Sequence, residues 1–88
     1  MAQLIDTEGE VHQVPGPVSL EKAQELVGGW VQLVQVPGNP AHQMLVNEEG
    51  LLLNLSLNWI ASGIAKQPIV GNAVIVSTGE GWDEWSVN

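Results

Sequence analysis

The sequence predicts an α+β fold: a small, mainly antiparallel sheet carrying two short helices at about residues 19–27 and 58–65. Three observations predict it. A chain of 88 residues supports one compact core and hardly a second. Runs of strand length, rich in β-branched residues, recur between Gly, Pro and Asn turns. Two other windows place apolar side chains at helical spacing behind a capping residue, Ser19 and Asn58. One domain is expected over residues 1–78, followed by an acidic, Trp-containing C-terminal tail at 79–88.

From the N-terminus, apolar stretches around Leu4-Ile5 and from Val11 to Val14 flank Thr7-Glu8-Gly9, a Gly-containing hairpin signal. Pro15-Gly16-Pro17 breaks the ladder. Ser19 then stands where an N-cap belongs, and Glu21 lies in the first turn, where the helix dipole favours an anion. Leu20, Ala23, Leu26 and Val27 share one helical face, and Gly28 supplies the left-handed residue that ends the helix. Trp30 to Val36 reads as a central strand closed by Pro37-Gly38-Asn39-Pro40. Gln43 to Asn47 and Leu51 to Leu55 read as two further strands joined across Glu48-Glu49-Gly50, giving a three-stranded meander. Asn58 caps a short helix that carries Ile60, Ala61, Ile64 and Ala65 and stops at Pro68, with Gly63 weakening it. A last strand runs from about Ile69 to Ser77, interrupted by Gly71-Asn72. Trp30 and Trp59, each inside a patterned element, are expected in the core.

Composition narrows the function classes. Ten acids face two lysines and no arginine, a formal charge of −8. Direct nucleic-acid binding rests on Lys and Arg neutralising phosphates, so it is not expected. The first residues lack a basic, apolar leader and no run is long enough to span a bilayer, which predicts a cytoplasmic protein without a membrane partner. Without Cys no disulfide framework forms, and the high apolar content beside few charges predicts a homo-oligomer.

Four signals occur in order: Leu26-Val27-Gly28-Gly29-Trp30 with its ensuing strand, Asn47-Glu48-Glu49-Gly50, Leu57-Asn58 followed by Ala61, and Ile69-Val70-Gly71-Asn72-Ala73-Val74-Ile75-Val76. In combination they resemble the domain-of-unknown-function family numbered 3846, found in bacteriophages, mobile elements and some bacteria. Trp30 replaces a more usual Tyr or similar residue. The resemblance implies a viral or mobile-element origin and brings no catalytic residues.

Glu48 and Glu49 could be paired carboxylates for acid/base work or a cation site, but successive residues in a tight turn seldom converge. They read as a solvated turn. Asn58 is explained by capping, and His12 and His42 belong to no closely spaced ligand motif. The chain has no G-x-S-x-G elbow, Walker loop or dinucleotide fingerprint, and Lys22 and Lys66 supply little positive charge. No cofactor is expected. The tail Trp82-Asp83-Glu84-Trp85 combines two amphipathic anchors with two acids, a surface suited to a basic, apolar groove. The expected protein is therefore a non-enzymatic, acidic, phage-type accessory factor that binds and inhibits or redirects a host protein, as an anti-defence factor would. Trp82, Asp83, Glu84, Trp85, Glu48 and Glu49 are its candidate partner-binding residues. An oligomeric sponge for a nucleotide-derived immune signal and an acidic DNA mimic remain alternatives.

Overall fold

The computed structural model describes residues 2–15 and 17–77. They form β1 (Ala2–Ile5), β2 (Val11–Val14), α1 (Leu20–Val27), β3 (Val31–Gln35), β4 (His42–Asn47), α2 (Trp59–Ala65) and β5 (Ala73–Ser77). The strands make one antiparallel sheet in the order β2-β1-β5-β4-β3. An α+β fold with a small antiparallel sheet and two helices is thus what the chain adopts.

Strand alternation sends residues to opposite faces, and each face has its own helix. Leu45, Val74 and Val76 pack with Ala2, Val14 and Val18 against Ala23 and Val27 of α1. Met44, Val46 and Ala73 pack on the other side with Val34 and Ile69 against Ala61 and Ala65 of α2. Met44, Leu45 and Val74 are fully buried, and each such side chain contributes about 1.5–3 kcal/mol by leaving water. Ala61 and Ala65, one helical turn apart, form the buried face of α2.

From β1 to the end of α1 the chain follows the sequence closely. The Ser19 side chain accepts from Lys22 N at 3.1 Å and caps α1. Gly28 adopts φ 84°, and the amides of Gly28 and Gly29 both donate to Gln24 O. A side chain at Gly28 would be forced into the left-handed region that glycine enters freely.

Elsewhere the structure differs. Leu51–Leu55 is not a strand: Leu53 N donates to Glu49 O and Leu55 N to Gly50 O, so this segment winds through successive turns. An uninterrupted leucine run has no period-two alternation to lay on a sheet. β3 is an edge strand, not a central one. The centre belongs to β5, whose Ala-Val-Ile-Val sequence suits burial on both faces, whereas Gln32 and Gln35 keep β3 at the rim. β5 is also shorter than expected, since Val70 makes only an isolated bridge to Leu57. α2 ends in a left-handed Lys66 at φ 58°, before Pro68 is reached.

Neither tryptophan in these elements is core. Trp30 is 65 % exposed and Trp59 76 %. Trp30 precedes the edge strand at a corner where no neighbouring strand covers it. Trp59 is two residues before Ala61, which places it about 200° around the helix from the buried face.

Candidate functional site

The four sequence signals converge at one end of the sheet, where β4 ends, β5 begins, α1 stops and α2 starts. Side-chain amides join them. Asn47 Nδ2 donates to Val27 O at 3.1 Å, while its Oδ1 accepts from Glu49 N at 2.7 Å. Asn72 Nδ2 donates to Leu26 O at 3.2 Å. Two terminal carbonyls of α1, which have no partner within the helix, are satisfied in this way. Asn58 is fully buried; its Nδ2 donates to Ile5 O and Gly71 O, both at 2.9 Å, and its Oδ1 accepts from Ala61 N at 3.0 Å. The same residue caps α2 and ties β1 to the entry of β5.

Backbone contacts complete the junction. Glu48 N donates to Trp30 O at 2.7 Å, and Asn58 N to Ile69 O at 2.8 Å. A Cβ on Gly50 would sit 2.6 Å from Val70 Cγ2, so the turn can approach Val70 only without a side chain there.

Two clefts flank this junction. One, of about 450 Å³, runs between Gln32, Val34 and Val46, the turn Asn47–Leu52, and Gln67–Val70. The other, of about 350 Å³, lies among Thr7, the end of α1, Leu55, Ser56, Gly71 and Asn72. Glu48 and Glu49 line the larger cleft and are exposed. Beside them Leu51 and Leu52 are 83 % and 84 % exposed, with Leu53 also largely in solvent. Sequence reading missed these leucines by placing them in a strand. Their signal was the unbroken apolar run behind an Asn-Glu-Glu-Gly turn.

The two histidines lie apart from the junction. Trp82, Asp83, Glu84 and Trp85 fall outside the described residues. His12 Nε2 contacts Asp6 Oδ2 at 2.9 Å on the β1–β2 hairpin. That partner, together with the amides of Glu10 and Glu8, holds the Asp6 carboxyl below its usual value of 3.8. His42 begins β4 at the sheet's opposite end, where His42 Nδ1 and Gln43 Oε1 are buried without a hydrogen-bond partner among the described residues. Among those residues no group of three or more His, Cys, Asp or Glu converges as a metal would require. No helix there is long and apolar enough to cross a membrane.

No curated protein and no solved structure matches the chain. The family model described as domain of unknown function (DUF3846) matches residues 2–87. The motifs that meet at the junction of α1, α2, β4 and β5 therefore sit within a match that spans nearly the whole chain, which belongs to the DUF3846 family.

Proposed function

We propose that this protein is a non-enzymatic accessory factor that binds a host protein and thereby inhibits or redirects it, with the Leu51–Leu53 turn as its anchor. The observation that carries this reading is the pair of leucines more than four-fifths exposed on a turn whose backbone is hydrogen-bonded. Large apolar side chains held out in water mark interaction surfaces when they cluster beside a concave wall. The amide of Asn47, in the wall of the adjoining cleft, is already engaged by Val27 and Glu49. What the cleft offers a visitor is Leu51 and Leu52, Pro68, the side-chain amides of Gln32 and Gln67, and the two carboxylates. Such a surface suits an apolar groove with a basic rim, and a net charge of −8 would steer the chain toward it.

Affinity capture from bacterial host lysate, followed by an activity assay of what is captured, tests the reading. Wild type should retain a stoichiometric partner and alter its activity. Leu51→Ser/Leu52→Ser should weaken that binding at least ~10-fold, as expected for a central anchor, while changing folding stability by no more than about 0.5 kcal/mol, as is usual for exposed positions. Glu48→Gln/Glu49→Gln should chiefly slow association and reduce its salt dependence. The same proteins at the same yield with wild type and the double leucine variant would refute the proposal.

A further inference from the structure

The sheet has two edges, and β3 leaves one of them open. Glu48 N donates to Trp30 O, which makes residues 30 and 48 a hydrogen-bonded pair in the antiparallel register Val31↔Asn47. Alternation then turns the backbone groups of Gln32 and Val34 toward β4 and those of Val31, Leu33 and Gln35 outward. No helix or loop bonds to these outward groups among the described residues. Proteins ordinarily blunt such an edge with charge, proline or a bulge. β3 carries none of these, and Leu33 at its middle is 42 % exposed.

We propose that β3 pairs with β3 of a second copy, antiparallel about a two-fold axis at Leu33, joining two sheets into one. The strand is self-complementary in that register. Val31 faces the second copy's Gln35 and Leu33 faces its own counterpart, so all three outward residues meet outward residues and exchange both backbone bonds. On the α2 side of the sheet, Gln32 meets the second copy's Val34, and exposed Trp30 lies opposite the second copy's Val36. Charge permits the contact. β3 is neutral, and the acidic turn at Glu48-Glu49 ends up near the neutral Pro37-Gly38-Asn39 turn of the other copy, so among the described residues no like charges are opposed across the seam.

The other edge is built differently. Asp6 N donates to Glu10 O, which turns Val11 and Gln13 outward in the register of β1 and β2. The next outward position is Pro15, which has no N–H, and Glu8 and Glu10 charge the opposite end. A partner strand finds a short ladder with an acidic approach.

Sedimentation equilibrium of the full chain tests the pairing. Wild type should reach twice the 9.4 kDa chain mass, and its dissociation constant should fall on raising salt as repulsion between two acidic copies is screened. Leu33→Pro removes an N–H that points outward and not toward β4, and should return the mass to that of one chain, with Val11→Lys on the other edge leaving the dimer intact. Far-ultraviolet circular dichroism reports whether Leu33→Pro remains folded. Should it unfold, Leu33→Cys serves: in this cysteine-free chain it should form a disulfide-linked dimer across the axis under mild oxidation, and Val11→Cys should not. A wild-type monomer at every concentration, a dimer lost with Val11→Lys, or equal cross-linking of both Cys variants would overturn the proposal. A folded Leu33→Pro variant that stays dimeric would do the same.

Discussion

Asn47 and Leu51 stand four residues apart and exchange the places that hydropathy would assign them. The amide is 5 % exposed and the leucine 83 %. Burying an amide costs several kcal/mol unless its donors and acceptors are paired, and here Val27 O and Glu49 N pair them. Exposing a leucine forgoes about 1.5–3 kcal/mol of burial, and nothing in the fold recovers that loss. The contrast separates two kinds of conspicuous residue. The polar side chains of this junction are structural, and the apolar ones are available to a partner.

The largest test of that division is Asn58, which bonds at greater depth than Asn47. Asn58→Ala strands two buried carbonyls and removes the cap of α2, and should cost about 3–5 kcal/mol. That is a large share of the roughly 5–15 kcal/mol typical of a domain, so chemical denaturation should show a collapse of the midpoint. Asn58→Asp keeps the cap acceptor but loses the donor, and its destabilisation should grow as pH rises above about 4, where an exposed Asp ionises. A loss under 1 kcal/mol for Asn58→Ala would remove the structural assignment. Gly50 comes next. Gly50→Ala meets the stiff, β-branched Val70 at 2.6 Å and should cost about 1–3 kcal/mol by overpacking. Gly63→Ala, with no atom within 4 Å, should stabilise α2 by about 0.5–1 kcal/mol. Equal effects at the two sites would mean that Gly50 is not there to let the turn approach Val70.

Sequence reading succeeded where the deciding interaction is local. The Ser19 hydroxyl bonds an amide three residues on, and Asn58 Oδ1 does the same at the start of α2. Both distances are short enough to be read as a pattern along the chain. The junction itself was not legible, because Asn47 reaches a carbonyl 20 residues away, Asn72 one 46 away and Asn58 one 53 away. No linear spacing records such pairings. The four motifs could be noticed as signals, but their meeting depends on β5 inserting between β1 and β4, an ordering that only tertiary packing decides. The leucine turn was misread for a related reason. An all-apolar run does not reveal which face is buried, and the groups that bend it, Asn47 Oδ1 and the Gly50 backbone, precede it. Trp30 and Trp59 show that an aromatic inside a patterned element belongs to the core only when its own position faces inward.

Asp6 provides the smallest and most specific test, since it repeats at the surface what Asn47 and Asn58 do in the interior. Its Oδ1 accepts from Glu8 N and Glu10 N, both at 2.9 Å, and its Oδ2 contacts His12. Water can replace each of these bonds, so losing them should matter far less than losing those of Asn58. Charge gives them a pH signature that the neutral amides lack. The His12 contact first, then the Glu10 and Glu8 amides, lower the Asp6 pKa on folding. A depressed carboxyl stabilises the fold above its unfolded value, and the contribution disappears as pH falls through the folded one. Asp6→Asn retains an acceptor for the two amides and removes the charge. Melting curves between pH 2 and 5 should therefore show wild type losing stability relative to this variant as pH falls below about 4. A wild-type-minus-variant difference that stays flat across the whole range would show that the hairpin carboxylate is not held by charge, and would place Asp6 with the buried amides as a purely geometric tie.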